Sequence, residues 1–378
     1  MRVVIDTREL QPGDIFIPVK GERFDGHEFI EEALRKGAQK VLDVDIGDYA
    51  KSYRRKLTCQ VIAVTGSAGK TTVKDLLASV LSQRYKVVAT KGNYNNEIGL
   101  PLTVLQADAD TDILIVELGM RGAGQIRYLA RICRPTHVVI TGVGYSHIEI
   151  LKSQHAIAMA KSEVFLSPLD WEHQPRMAFL NHETPYYDLL ARRARSKKFK
   201  VFPYTGSTKP DQNLNVVYAV ARHFGLTNDQ IREGIRQFQS SAHRLKPLPA
   251  GGVTVIDDAY NANPDGVQFA LQYLGGMDGR KLLVLGDMLE LGDQGPELHR
   301  RIADQALEAG VSLILTLGPL GHHVASDDIE VMHFDAREAL HHFLKAELKT
   351  GDVVMVKGSR GMKMELTVDF LVGERFDG

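Results

Sequence analysis

The chain has 378 residues, 44% hydrophobic and 25% charged, the balance of a globular protein long enough for two or three domains. With 46 Lys and Arg against 47 Asp and Glu, its formal charge is −1, which points to neither a nucleic acid nor an anionic membrane surface as partner. The 2 cysteines exclude a disulfide framework, and neither has metal-ligand spacing. The start "MRVVIDTREL" is no signal peptide, and no apolar run reaches membrane-spanning length, so a cytoplasmic location is expected.

Residues 1–58 carry two short β-like runs, Val3–Ile5 and Ile15–Val19, and a helix pattern over Glu28–Lys36. The charged stretch "DYAKSYRRKLT" then reads as a linker or surface helix. From Gln60 the pattern changes to apolar runs alternating with amphipathic helices: "VIAVT", "KVVAT", "DILIVEL", "THVVIT", "RMAFLN" and "KVFPYT". A second series starts near residue 245 with "VTVIDD", "KLLVLGD", "LILTLG" and "VVMVKGS". Buried runs alternating with helices predict parallel sheets covered on both faces. "SAHRLKPLPA", residues 241–250, interrupts the pattern with proline and small residues and is the expected hinge. The hexapeptide "GERFDG" occurs at 21–26 and again at 373–378, without a physical account.

The chemistry concentrates where strands end. "VIAVTGSAGKTTVKDLL", residues 61–77, is a strand, a glycine-rich turn and a helix, the arrangement in which backbone N–H groups and a helix N-terminus hold phosphate. Its G-x-x-G-K-T-T spacing is shorter than G-x-x-x-x-G-K-[ST]. Lys70 suits the β- and γ-phosphates and the Thr71 hydroxyl a Mg²⁺ ion. The plainer alternative is a glycine-rich turn with an exposed lysine. Glu117 and His147, at two further strand ends, are candidates for a second divalent ion, or equally a strand-end hydrogen bonder and a core histidine. Lys161 in "AMAKSEVF" reads by itself as a solvated helix lysine. Asp258 in "IDDAYNANP" suits ribose hydroxyls or belongs to a turn. Lys357 and Arg360 in "KGSRG" suit a carboxylate clamp or are surface charges.

"VTGSAGKTT", "GNYNNEIGLP", "ELGMRGAGQI", "HIE…IAMAKSEVF", "IDDAYNANP", "VLGDMLELG…H" and "VKGSRGMKME" occur in the order seen in Mur ligases. By "YNNEIGLP", "DDAYNANP" and "GDMLELG" the chain most resembles the branch that adds D-Ala-D-Ala to a UDP-N-acetylmuramoyl tripeptide. "IDTRELQPGDIFIPVKGERFDGHEFIEEALRKGA" resembles that branch's UDP-binding domain. The resemblance implies a three-domain α/β architecture: residues 1–58 binding the UDP-substrate, 59–244 a central P-loop parallel-sheet domain binding ATP, and 245–378 a Rossmann-like domain. It implies transfer of the γ-phosphate to a substrate carboxylate and attack of an amine on the acyl phosphate. Clustered cations suit such transfer between two anions.

By the same resemblance Gly66, Ser67, Gly69, Lys70, Thr71 and Thr72 cradle ATP, with Asn213 near adenine, Arg244 near the phosphates and Asp258 near ribose. Thr71 and Glu117 hold one Mg²⁺, and His147 with a carbamylated Lys161 holds a second. Asn95 and Asn96 lie near the acyl phosphate. Thr7, Arg8, Arg23, Asp25 and His27 face the UDP-sugar, and Asn261, Lys357, Ser359 and Arg360 the peptide end. The implied partners are the UDP-muramoyl peptide and D-Ala-D-Ala, acted on by a monomer in peptidoglycan precursor synthesis. A ligase acting on another acid, or a non-catalytic protein of the same family, are the alternatives. The chain departs from the family pattern in a short N-terminal domain and in three further places. Lys209 stands where a histidine is usual, Gly142 where an asparagine is usual, and the strands usually inserted after "KVFPYT" are missing.

Overall fold

The computed structural model describes residues 2–21, 24–167, 175–239, 242–374 and 376. Three sheets follow one another along the chain. The first is small and parallel, in the order β1 (Val3–Val4), β2 (Ile15–Phe16), β3 (Lys40–Val41). The second has six parallel strands: β4 (Gln60–Thr65), β5 (Val87–Ala89), β6 (Ile113–Glu117), β7 (His137–Ile140), β8 (Met177–Asn181) and β9 (Lys200–Tyr204). Their order across the sheet is β5-β6-β4-β7-β8-β9.

The third sheet contains β10 (Lys246–Ala250), β11 (Val253–Asp258), β12 (Lys281–Gly286), β13 (Val311–Leu317), β14 (Glu330–Phe334) and β15 (Val353–Lys357). Its order is β10-β11-β15-β12-β13-β14, parallel except for the β10–β11 pair. This is the α/β architecture of three successive sheets that the apolar runs predict. Each of the ten runs from "VIAVT" onward contains a strand.

β4 shows why the central sheet is covered on both faces. Successive side chains alternate faces, and all of Val61–Val64 are fully buried. Ile62 and Val64 pack with Val73, Leu77, Val216 and Val220 of the helices Lys70–Leu81 and Lys209–His223. Val61 and Ala63 pack on the other side with Leu100, Val104, Leu129 and Ala130. β4 is also where the chain reverses direction across the sheet, going first to β5 and β6 and then to β7. Crevices for ligands open beyond the carboxyl end of such a strand.

Two expectations need correction. The stretch "DYAKSYRRKLT" is largely the helix of the two alternatives, Ile46–Arg54, with Asp48 and Ser52 exposed, but it is not all surface, because the helix ends in a fully buried arginine. The Arg54 guanidinium donates to the backbone oxygens of Cys133 (2.9 Å), Leu57 (2.7 Å) and Cys59 (3.2 Å). It thereby ties the exit from the first sheet to the central one. The expected hinge is also narrower, since 246–250 form β10. Pro247 and Pro249 are two residues apart on this edge strand, so both missing N–H groups fall on the side away from β11.

Arg54→Met should therefore lower stability by about 3 kcal/mol, because it leaves buried carbonyls without their charged donor. Urea unfolding followed by circular dichroism measures this; a loss below about 0.5 kcal/mol would show that water replaces the guanidinium.

His137 on β7 is 3% exposed, with Nε2 3.0 Å from His223 Nε2 and Nδ1 2.9 Å from Thr136 Oγ1. Burial, with His223 alongside, lowers its pKa from 6.5 to about 3. The folded chain then binds fewer protons than the unfolded one below pH 6.5. This contribution to stability is complete above pH 6.5 and is lost as the pH falls toward 3. At about 1.4 kcal/mol per pH unit, going from pH 6.5 to 5 should cost roughly 2 kcal/mol, and His137→Gln should lack that part of the pH dependence. Equal pH dependence in the two proteins would show that His137 is already solvated in the fold.

Candidate active site

Beyond the carboxyl end of β4 lies a cleft of about 610 Å³ between the second and third sheets. Gly66, Ser67, Gly69, Lys70, Thr71 and Thr72 line one wall. The turn they form cannot carry side chains at its glycines. A Cβ on Gly66 (φ +151°) would lie 1.9 Å from Thr141 Oγ1, and one on Gly69 (φ +78°) 2.8 Å from Asn213 Oδ1. The turn is laced to the loop after β7, where Gly144 N donates to Ser67 Oγ (2.8 Å) and Ser146 Oγ to Ser67 O (3.0 Å). Lys70 opens the helix and its ammonium donates to Gly66 O at 2.9 Å. Burial lowers its pKa, partly offset by Glu117.

Glu117, register partner of Val64 at the end of β6, is 1% exposed. Thr71 Oγ1 donates to its Oε2 at 2.7 Å and Asn95 Nδ2 to its Oε1 at 2.7 Å. A carboxylate and a hydroxyl this close form an oxygen donor pair suited to Mg²⁺. Asn95 is thus positioned on Glu117. Asn96 lines the cleft, and its Oδ1 accepts from Gly99 N at 2.9 Å at the start of the helix Gly99–Gln106.

Lys161, the last residue of the helix Gln154–Lys161, is 2% exposed and lines the same cleft. Its ammonium has no hydrogen bond or ion pair among the described residues. Burial, with the Lys70 charge added, pushes its pKa well below the usual lysine value. A solvated helix lysine it is not. His147 has a left-handed backbone (φ +66°), and its Nδ1 lies 3.2 Å from Glu290 Oε2 across the cleft.

The third sheet supplies the opposite wall. Asp258 and Lys357 are register partners at the ends of β11 and β15, and their side chains pair at 2.5 Å. Burial pushes the Asp258 carboxyl upward while Lys357 pulls it back. Lys357 also donates to Asn261 O at 2.9 Å. The expected clamp of Lys357 with Arg360 is therefore not the arrangement present. Arg360 is exposed and 3.3 Å from Glu365, while the buried Ser359 hydroxyl joins Ala262 O to Leu289 N. Neither lines the cleft, whereas Asn261 does. The Arg244 guanidinium sits 4.0 Å over the Tyr260 ring and reaches the cleft and an adjoining pocket of about 280 Å³. That pocket is walled by Leu76, Leu214, Phe238, Phe269 and Tyr273, and also by Asn213, whose buried Nδ2 lacks a hydrogen-bond partner among the described residues.

The expected sugar-facing residues stand apart from this cleft. Thr7 is buried and its carbonyl accepts from Lys36, Arg8 is exposed on Asp6, and Arg23 lies outside the described residues. Asp25 accepts from His27 N, and the His27 ring bridges Asp25 (2.5 Å) and Asp43 (3.1 Å).

Two further residues carry no mark in the sequence. Glu290 lies within "GDMLELG" with nothing local to single it out. Asp265 follows the "NANP" turn, and its carboxylate accepts from Tyr145 N at 2.9 Å on the central side of the cleft.

Three family models match the chain: "Mur ligase family, catalytic domain" over residues 2–90, "Mur ligase middle domain" over 64–238, and "Mur ligase, glutamate ligase domain" over 243–360. The UDP-N-acetylmuramoyl-tripeptide--D-alanyl-D-alanine ligase of Bacillus subtilis is 33% identical, the match covering 98% of this chain and 93% of the relative. Its Escherichia coli counterpart is 30% identical over 97% and 92%. Among solved structures, MurF from Acinetobacter baumannii superposes with a TM-score of 0.86 at 25% identity, covering 99% of this chain and 93% of that one. MurF ligase from Thermotoga maritima in complex with ADP gives 0.83 at 26%, covering 98% and 96%. The chain belongs to the Mur ligase family.

Proposed function

We propose that this chain is an ATP-dependent amide ligase that joins D-Ala-D-Ala to a UDP-N-acetylmuramoyl tripeptide, in peptidoglycan precursor synthesis in the cytoplasm. The observation that carries the reading is the single cleft in which the Gly66–Thr72 turn and Glu117 face Asp258, Lys357 and Arg244. Its relatives' shared activity supplies the substrates. We assign residues 1–58 to the UDP-substrate, 59–244 to ATP, and 245–378 to the domain that closes on them, in a monomer. Among the described residues no helix is long and apolar enough to cross a membrane.

In the proposed reaction the tripeptide carboxylate attacks the γ-phosphorus of ATP and ADP leaves. The dipeptide amine then attacks the acyl phosphate carbonyl, and phosphate leaves as the amide forms. The backbone N–H groups of the Gly66–Lys70 turn and the Lys70 ammonium hold the triphosphate where negative charge shifts during transfer. Arg244 lies between the cleft and the adjoining apolar pocket, as a residue between phosphates and adenine must. The unpartnered Asn213 amide would serve the base. The contact His147–Glu290 spans the cleft and Tyr145–Asp265 joins the second and third sheets beside it, and closure of this kind would limit the entry of water, which would otherwise hydrolyse the acyl phosphate.

Thr71 and Glu117 are the pair that would hold one Mg²⁺, and His147 with a carbamylated Lys161 would hold a second. Bound there, the ions would neutralise phosphate oxygens and orient them for transfer. Lys161 fits this role only after modification, because an ammonium repels a cation. Its lowered pKa favours the neutral amine, which combines with CO₂ to give a carbamate anion and a proton, and the carbamate offers the oxygen ligand that a lysine lacks.

Lys70→Ala should lower ADP release by more than a hundredfold, roughly 3 kcal/mol, with the fold intact by circular dichroism. Turnover within about tenfold of the parent would place ATP elsewhere. A substrate panel in the same assay, read as ATP-dependent mass gain, tests the acceptor. Gain on another acid but not on the UDP-muramoyl tripeptide would reassign the pathway.

Lys161→Ala should be inactive and partly rescued by acetate or formate, and stripping bicarbonate at mildly acidic pH should lower wild-type activity reversibly. Near-normal turnover of Lys161→Ala without added carboxylate would remove the carbamate from the mechanism.

A further inference from the structure

The third sheet meets the cleft through β11 and β15 and ends, at its far edge, in β14. At that edge three ligand-bearing side chains converge. They are His322 in the short turn of helix Gly321–His323, His333 on β14, and Asp335 just past its end. Their nitrogen and carboxylate ligand atoms all lie within 4.8 Å of one another. Both Nε2 atoms face the same Asp335 oxygen, at 3.3 Å from His333 and 3.7 Å from His322. The two rings lie 3.6 Å apart, tilted by 36°.

His333 is held from behind. Its Nδ1 is 2.9 Å from the hydroxyl of Thr316, a fully buried residue that is its register partner on β13. A hydrogen bond at the far ring nitrogen is how proteins fix the tautomer and direction of a metal-ligating histidine. Here it leaves Nε2 aimed outward at the shared point. An ion pair would need only one imidazolium for one carboxylate. Two nitrogens and an oxygen directed at one place are a ligand set.

We propose that His322, His333 and Asp335 bind a divalent transition metal ion of the zinc class, at a site separate from the nucleotide cleft. Two imidazoles and one carboxylate select such an ion over Mg²⁺ or Ca²⁺, which prefer all-oxygen shells. Bonds of about 2.0–2.1 Å keep any two ligands of one ion within about 4.2 Å, so the set must contract by roughly half an ångström. His322, 58% exposed on its loop, is free to make that movement. Water would complete the coordination. The ion would clip this loop to the edge strand. The same loop is already anchored on the other side, where Leu320 N and Gly321 N donate to Asp287 at 3.0 Å each.

The test is equilibrium dialysis of the untagged full chain against Zn²⁺ or Co²⁺, with excess Mg²⁺ to occupy the cleft. His322→Ala and His333→Ala are compared with the parent, and His147→Ala serves as the cleft control. The parent and His147→Ala should each bind one equivalent that His322→Ala and His333→Ala have lost. Thr316→Val should keep the site with roughly ten- to a hundredfold weaker binding. ATP-dependent turnover of His322→Ala should stay at the parent level, showing that the variant is folded. Equal metal content in the parent and His322→Ala, or loss of the equivalent in His147→Ala alone, would overturn the proposal. So would the absence of stoichiometric binding in the parent, which would leave the cluster a stacked histidine pair on a carboxylate. None of these outcomes depends on which acid the cleft ligates.

Discussion

The cationic side chains that line one cleft include Lys70, Lys161, Arg244 and Lys357, and their repulsion has to be relieved before any polyanion arrives. Each is relieved differently. Lys70 donates to the carbonyl of Gly66 in its own turn, a bond that a phosphate oxygen can take over. Lys357 is neutralised by Asp258 on the adjacent strand. Arg244 spreads its charge over the face of Tyr260. Lys161 has none of these supports among the described residues, and burial, with the Lys70 charge added, pushes its pKa well below the usual lysine value. A neutral amine at that position would favour the carbamylation proposed above.

The linker between the second and third sheets depends on the same acids. His243 and Leu245 adopt left-handed backbones (φ +59° and +48°), which are costly for residues other than glycine. The structure compensates for that strain through two consecutive carboxylates at the end of β11. Asp257 holds the His243 ring at 2.8 Å, and Asp258 accepts from Leu245 N at 3.2 Å. Arg244, between them, is thereby directed toward the cleft. Asp258 serves both the linker and Lys357, so the position of the third sheet and the placement of Arg244 are set together.

Much of this was legible in the sequence, for local reasons. Apolar runs buried on both faces marked the inner strands. The polar residues that end two of them, Glu117 and Asp258, marked the edge of the cleft. β10 and β14 were not legible. β10 is an antiparallel edge strand carrying two prolines, and β14 (Glu330–Phe334) is only partly buried, so neither has an apolar signature. Arg54 was misread because a charge in a charged stretch gives no sign that it will be buried under three carbonyls. The contacts across the cleft were invisible for another reason. His147 meets Glu290 and Tyr145 meets Asp265 only through the packing of two sheets, over separations of 143 and 120 residues.

That packing also explains which departures from the family pattern matter. A Cβ at Gly142 would meet only Thr184 Oγ1, at 3.5 Å, an ordinary contact, so the glycine there is not required by the fold. Two residues on, the situation reverses. A Cβ at Gly144 would fall 1.7 Å from the Asp265 carboxylate, within the contact that brings the third sheet onto the loop after β7. Lys209 follows the same logic at the other end of the interface. The helix it begins is capped by Thr208 and Asp211, and the Lys209 backbone N–H donates to Gln272 of the helix Pro264–Gly275 at 2.9 Å. Position 209 therefore contributes to the docking of the two helices through its backbone, which any residue but proline can do. The histidine usual there is therefore not needed for that docking.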